Sequence, residues 1–531
     1  MHQRCLITLL LVATLIVGAC SDAQDGNHLN GTTFGDAVDD HDSDDGNNDN
    51  NLDGDTTIDD QYALPAATCA VEVQPASDLN PLYRELKISC PGDVAVTGFV
   101  TAGGEPGRGW STPRRSEAAR EHRLRFYGLL GNKTFQYALF DADSGDAVAR
   151  GEFTVPPLPL WMPWLNVSQF DPRTRRGLWF AATITSPRVS ELGVYFLRAV
   201  AVFDRRGRVR FFHEVEHALG EVYEPLQGVI PFSNGEMVVS DVHDLLAIRP
   251  DGTEYIMFDL EVLDGAFQEA HHQSFVADWD AEVAVVLFDE LGPGLLCDLD
   301  TPTEKALGDG IAVINRNGNE LWRWSVFDHQ QAVAPYQMNQ CMCRSSHYGK
   351  DVIDWTHGNA VWPIPEEDAI LLSLRNAMQI VKIDVSTGNV MWQMGPGLDF
   401  TWIGEDEDED VWFRLQHGPI RLPNGNLLLF DNGNGRYGMD CRLGSWSRAL
   451  ELEVDEDAMT VEPVWEHRVP FSQAMGNVER LPTGETFIYN GWMGDAVEVT
   501  PDHDEIWAAK FPRMVKAFTL RYMKSNWSYE L

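Results

Sequence analysis

A strand ending that recurs six times constrains this chain more than any other feature. After residue 160 a Gly-, Asp- or Glu-led turn repeatedly feeds a short apolar, mostly aromatic-bearing strand. The six are Gly207-Arg208-Val209-Arg210-Phe211, Gly252-Thr253-Glu254-Tyr255-Ile256, Gly318-Asn319-Glu320-Leu321-Trp322, Gly388-Asn389-Val390-Met391-Trp392, Glu462-Pro463-Val464-Trp465 and Asp504-Glu505-Ile506-Trp507. Three units also show an earlier hairpin, a short strand turning on Asn-Gly or Thr-Gly at Asn234-Gly235, Asn424-Gly425 and Thr483-Gly484. A repeat of this length cannot bury its own apolar face and must stack on its neighbours. Six endings therefore predict six four-stranded blades closing into a six-bladed β-propeller over residues 157–531, with uneven spacing absorbed by loop insertions.

Upstream, residues 66–156 alternate apolar and polar side chains in short stretches such as Ala70-Val71-Glu72-Val73, Glu85-Leu86-Lys87-Ile88 and Val94-Ala95-Val96. Turn residues separate them, which predicts a small N-terminal β-sandwich of the fibronectin kind. Val155-Pro156-Pro157-Leu158-Pro159-Leu160 is the expected hinge to the propeller. The fold class expected is all-β, and 17 Trp, 45 Gly and 28 Pro suit so turn-rich an architecture.

The first nineteen residues read as an export signal: Arg4, an apolar run from Leu6 to Val17, then Gly18-Ala19 before Cys20. Val17-Gly18-Ala19-Cys20 resembles the lipobox of bacterial lipoproteins. The expectation is an exported, membrane-anchored protein, facing periplasm or cell surface, held by lipid on Cys20. Residues 20–65 then form a tether. Between 21 and 60 there are thirteen Asp and no Lys or Arg, so the segment repels itself and has little to bury. Its Asp-Gly strings lack the closing Glu of a calcium loop. In an exported chain Cys69 and Cys90 are expected to pair, while Cys297, Cys341, Cys343 and Cys441 leave their connectivity open.

Forty basic against eighty-one acidic residues, a net charge of -41, excludes a nucleic-acid partner, because phosphate backbones are held by basic patches. Histidines carry the site. The first strand of each propeller blade lines the channel, and His417 lies eight residues before the turn glycine Gly425. Aligning His-x-x-apolar segments puts His272 and His357 at the same level. Three imidazoles could bind a transition metal, or one could act as a nucleophile while others hold an oxyanion. Arg375, expected on the second strand of the His357 blade, disfavours a dication and matches a sulfate or phosphate group. No metal and no cofactor is expected.

Asp354-Trp355-Thr356-His357-Gly358-Asn359, Ser373-Leu374-Arg375 and Gln416-His417 through Leu422-Pro423-Asn424-Gly425-Asn426 to Phe430-Asp431-Asn432-Gly433 resemble, in order, the bacterial arylsulfate sulfotransferases. The resemblance covers most of 160–531. It implies a six-bladed propeller with a small sandwich and an aryl sulfate donor with a phenolic acceptor. It also implies transient sulfurylation of His417, with His357, Arg375 and His272 binding the sulfuryl group. His271 is the weaker match to the family's His-His motif, and Gln273 stands where that family is expected to have Asp. Two other readings stay open here: a ligand-binding lipoprotein without catalysis, and a quinoprotein-like dehydrogenase, whose Trp-docking repeat is matched once at 382–392. The run of six acids at 405–410 would repel an anionic ester within a Debye length of ~8 Å if it faced the channel.

Overall fold

Short stretches of alternating or continuous apolar residues, cut by Gly- and Asn-rich turns, give antiparallel meanders along the whole chain. The computed structural model describes residues 69–524 apart from short internal stretches, the longest being 334–351. The protein is nearly all β. Among the described residues there is no α-helix, only brief 3₁₀ turns. The signal segment, the tether, Gln273, the four downstream cysteines and the acidic run at 405–410 lie outside the described residues.

Two sheets come first. Ala70–Val73, Arg84–Val94 and Ala119–Phe126 form one, and Gly109–Ser111, Val96–Ala102, Lys133–Asp141 and Ala147–Val155 form the other. Val94-Ala95-Val96 is not a strand of its own, as its sequence suggests. The chain breaks at Ala95 and crosses between the sheets, which buries Ala95 and puts Val96 in their shared core. A disulfide joins Cys69 to Cys90. Asn80 Nδ2 donates to Pro250 O at 2.7 Å, so this unit is seated on the sheets that follow.

Six further sheets follow. The first holds Leu178–Ser190, Gly193–Asp204 and Val209–Glu214, joined by the C-terminal Lys516–Lys524. The second runs Gln227–Pro231, Met237–Asp241, Asp244–Ile248 and Glu254–Asp259. In the third an interrupted strand, Phe267–Ala270 then Phe275–Val276, pairs with Val283–Pro293, followed by Lys305–Asn315 and Glu320–Ser325. The fourth comprises Gly358–Ile364, Ala369–Leu374, Gln379–Asp384 and Val390–Met394. The fifth comprises His417–Arg421, Leu427–Asp431, Ser447–Asp455 and Thr460–Val469. The sixth comprises Asn477–Arg480, Thr486–Asn490, Asp495–Val499 and Glu505–Lys510, with Asn166–Phe170 added at its outer edge. Each of the six recurring endings leads into or lies on the last strand of a different meander. The turn glycines Gly235, Gly425 and Gly484 adopt φ of 88°, 91° and 99°, a region that favours glycine.

Period-2 alternation stacks these sheets face to face. In Ala369–Leu374 every residue is buried. Ile370, Leu372 and Leu374 enter the core shared with the third sheet, while Ala369 and Leu371 enter the core shared with the fifth. Leu427–Asp431 divides its side chains the same way, Leu427 and Leu429 to one side and Leu428 and Phe430 to the other. Hydrogen bonds link the sheets in turn. Arg198 Nη1 donates to Asp241 Oδ1 at 2.5 Å, His272 N to Gln227 Oε1 at 2.6 Å, and Gly358 N to Asp309 Oδ2 at 2.7 Å. Asn359 Nδ2 donates to Gln416 O at 2.6 Å, Met475 N to His417 Nε2 at 3.2 Å, and Asn477 Nδ2 to Leu520 O at 3.1 Å. The last of these returns from the sixth sheet to the first. The strand ends it connects surround one cavity.

Candidate active site

The cavity is entered by residues at the starts of these first strands. His417 opens the fifth sheet's first strand, His357 sits one residue before Gly358–Ile364, and His272 lies in the break of the third sheet's first strand. The His272 ring centroid is 5.0 Å from that of His357 and 6.3 Å from that of His417. The three imidazoles therefore converge, but not at one register. His417 pairs with Phe430, whereas Gly358, not His357, holds the corresponding pairing with Leu374. Arg375 is likewise one residue beyond its expected strand, at the start of the turn after Leu374, where its N–H donates to His357 O at 3.2 Å. His272, His357, Leu415 and Met475 have φ of 54°, 46°, 51° and 61°. Two of these, His272 and Met475, line the cavity and the other two adjoin its histidines, which is strain of the kind that clusters at functional sites.

His417 is buried, and its proton is placed by its neighbours. Nδ1–H donates to Asn432 Oδ1 at 2.7 Å and faces Leu415 O at 3.2 Å. The Asn432 amide cannot usefully turn over, because its Nδ2 donates to Ser472 O at 3.1 Å and Met475 O at 2.9 Å. The lone pair is thus on Nε2, where it accepts the Met475 N–H at 3.2 Å. Burial, then the positive charge of Arg375, pulls the His417 pKa down to about 3, so the ring is neutral at ordinary pH. A neutral imidazole with an unprotonated Nε2 is the nucleophilic form.

The other groups are also fixed. His357 Nδ1–H donates to Asp354 Oδ2 at 2.6 Å. Burial alone would raise the Asp354 pKa, but the charge and hydrogen bond of His357, with Arg375, outweigh it and hold the carboxyl below its ordinary range. Arg375 Nη1 donates to Asn376 Oδ1 at 2.7 Å, and Asn376 Nδ2 donates back to Asp354 O at 2.9 Å. Burial, followed by the charges of His271, His357, His417 and Arg375, keeps His272 well below its ordinary pKa.

Sequence reasoning passed over several residues. Asn432 and Asp354 stand inside the quoted motifs without a role, although an amide or carboxylate near a histidine is a usual tautomer lock. Thr519 and Arg521 line the cavity with Gln227 and His417 only because the C-terminal strand returns to the first sheet. Behind His272 lies His271, whose Nε2 is 3.0 Å from Asp309 Oδ1 and 3.2 Å from Asp289 Oδ1. These three donor atoms lie within 4.8 Å of one another. The spacing is that of ion pairs, with one imidazole facing two carboxyl groups. Burial would lower the His271 pKa, but Asp289 and Asp309 push it up to about 9. Asp289, chiefly through its own burial, is held up at about 8.

A pH dependence of stability follows. His271 titrates at 6.5 when exposed and at about 9 when folded, and Asp289 at 3.8 and about 8. Both folded groups keep protons that the unfolded chain has released, so the Asp289 contribution is lost as pH rises from 3.8 through about 8 and that of His271 from 6.5 through about 9. His417 and His272, shifted downward, oppose folding only below about 6.5 and do not alter the decline above it. The thermal midpoint should be lower at the alkaline end than at pH 6.5, and Asp289→Asn should flatten the decline. A midpoint that rises across the window contradicts the assignment.

A buried neutral imidazole flanked by two more imidazoles and an arginine is equipped for nucleophilic transfer of an anionic group. The profile of one such class, "Arylsulfotransferase (ASST)", matches residues 168–529, and the chain belongs to that family. An arylsulfate sulfotransferase AssT from Lelliottia amnigena is 31% identical over 138 residues, spanning 22% of this chain and 23% of that relative. Solved structures give lower likeness. A Bacteroides caccae protein of unknown function has a TM-score of 0.32 at 12% identity, covering 65% of this chain and 99% of its own. A virginiamycin B lyase from Staphylococcus aureus has 0.28 at 10% identity, covering 67% and 88%. Likenesses at this level carry no functional conclusion.

Proposed function

We propose that this chain moves a sulfuryl group from an aryl sulfate ester to a phenolic acceptor in two steps through a sulfohistidine at His417. The observation that carries the reading is the His417 tautomer: Nδ1–H bound to a locked Asn432 amide, Nε2 unprotonated with its lone pair accepting the Met475 N–H. In the first step Nε2 bonds to sulfur as the sulfur–aryloxygen bond breaks, and the aryl oxygen leaves with a proton. In the second, a phenol gives up its proton and its oxygen displaces Nε2 from sulfur. His357, His272 and Arg375 stabilise charge on the sulfuryl and phenolic oxygens. Such stabilisers are typically worth ~2.7–4 kcal/mol each. The test is release of a chromogenic phenol from its sulfate, accelerated by an added phenol and accompanied by sulfuryl transfer to it.

The architecture supporting this reading is a six-bladed propeller at 157–531 preceded by a β-sandwich at 66–156. Six meanders, the shared cores of neighbouring sheets and the return of Lys516–Lys524 to the first sheet support it. The lipobox-like Val17-Gly18-Ala19-Cys20 supports export and anchoring by lipid. Among the described residues no helix is long and apolar enough to cross a membrane. Mass spectrometry of the purified membrane fraction should find the mature chain beginning at a lipidated Cys20. An unmodified Cys20 there removes the anchor.

A further inference from the structure

Among the described residues, the side chain of His272 is hydrogen-bonded to one partner, another imidazole. His271 Nδ1 and His272 Nδ1 are 2.8 Å apart, with rings nearly perpendicular at 83°. Two Nδ1 atoms at that distance share one proton, so one ring donates and the other accepts. The surroundings decide which. The other nitrogen of His271 faces two carboxylates, Asp309 at 3.0 Å and Asp289 at 3.2 Å, and His271 is almost fully buried. These carboxylates are directly opposed across the strand pair Val283–Pro293 and Lys305–Asn315. Two buried carboxyl groups in that position need a positive partner or a shared proton. Asp309 is held by its other oxygen, which accepts from Gly358 N at 2.7 Å and from Thr356 Oγ1. His271 is therefore the imidazolium and donor, and His272 the neutral acceptor. That leaves His272 Nε2–H for the cavity it lines beside His417.

We propose that Asp289, Asp309 and His271 form a proton store that acts through His272 on the departing aryl oxygen. The proposal rests on the sulfuryl transfer argued above and names its proton source. As His417 Nε2 bonds to sulfur, the aryl oxygen leaves with its bonding electron pair and takes the proton from His272 Nε2. His272 Nδ1 is reprotonated from His271 Nδ1, and His271 becomes neutral with Nε2–H still on its carboxylates. Charge balances: an anionic ester and one imidazolium become a neutral phenol and a sulfuryl group on His417 that carries an internal ion pair. The acceptor phenol reverses the path and recharges His271. His271 touches no substrate, so it is a positioning and proton-supplying residue. The groups facing it are Asp289, Asp309, Glu269, Asp354 and His272, and the carboxylates outweigh the burial that would otherwise discharge it.

Leaving-group dependence tests this. Nitrophenolate departs without a proton, whereas unsubstituted phenolate needs one. General acid catalysis is typically worth 100- to 10,000-fold, so His271→Gln should lose about 100-fold or more in kcat/KM on phenyl sulfate while keeping nitrophenyl sulfate within a few fold. In the wild type, phenyl sulfate turnover should fall with rising pH near 9, and Asp309→Asn and Asp289→Asn should move that limb downward. Equal losses on both esters would reduce His271 to a structural role and overturn the relay. So would loss of activity on chelation with recovery on adding zinc, because an ion would then occupy the proton's place. Nitrogen-15 NMR of the imidazoles reads the relay without turnover. It should show His271 doubly protonated and His272 protonated at Nε2 alone, and the opposite pattern overturns the proposal even where the esters are cleaved. Failure of the wild type to cleave nitrophenyl sulfate would instead count against the sulfotransferase reading itself.

Discussion

Replacing His417 by alanine is expected to abolish both cleavage of an aryl sulfate and transfer to a phenol. A two-step path has no bypass for its covalent intermediate, and a methyl side chain offers no atom to bond to sulfur. The loss should therefore reach the background of the assay, whereas removal of a charge-stabilising neighbour leaves measurable turnover. The complementary experiment is positive. Wild-type protein treated with aryl sulfate and no acceptor should gain one sulfuryl mass on His417, and phenol should discharge it. The tautomer predicts the modified atom: Nε2, since Nδ1–H is held by Asn432. The depressed pKa adds a pH signature. A ring that protonates only at about 3 remains a nucleophile in moderate acid, so His417 should impose no acid limb near 6.5. Near-normal transfer by the His417→Ala variant, or failure to trap any sulfurylated histidine, would assign the nucleophile elsewhere. A wild type inert to every aryl sulfate would return the ground to a ligand-binding propeller.

What could be read ahead of the structure divides by range. Turn chemistry is local: Asn424-Gly425 and Thr483-Gly484 announce their hairpins because a positive φ at the glycine is needed there, and each hairpin is present. The six strand endings are equally local, and each belongs to a different meander. Convergence of His272, His357 and His417 was legible at one remove, from the rule that first strands face one channel. The register was not, because the first strands at His272, His357 and His417 each carry an irregularity that pairing alone reveals, and His357 consequently precedes the position inferred for it. Long-range partners left no signal. Nothing near His271 in the sequence names Asp289 and Asp309, whose opposition depends on how two eleven-residue strands pair. Arg521 reaches the cavity only through the pairing of the final strand with the first sheet. Asn432 shows the intermediate case: it was inside a quoted motif, but its function lies in the Ser472 and Met475 carbonyls that stop its amide from turning.

Arg375→Ala should lower turnover by about 100- to 1,000-fold, corresponding to ~2.7–4 kcal/mol of transition-state stabilisation, with the fold intact. The side chain starts at a turn position whose backbone is tied to His357 O, so truncation removes the guanidinium without loosening a strand. Three nearby groups report its charge: it helps to hold down His417 and His272 and to keep Asp354 ionised. The substitution therefore has a second readout that simple loss of substrate binding would lack. With the cation gone, the pKa of His417 should rise from about 3, and the acid limb of donor cleavage should move to higher pH. Arg375→Lys separates charge from shape. An ammonium restores the positive field but not the planar fork that grips two oxygens of a sulfuryl group at once. Lysine should thus return the acid limb close to its wild-type position while recovering only part of the rate. If Ala and Lys variants are equally slow and share the wild-type pH profile, Arg375 shapes the loop after Leu374 rather than the charge on the transferred group.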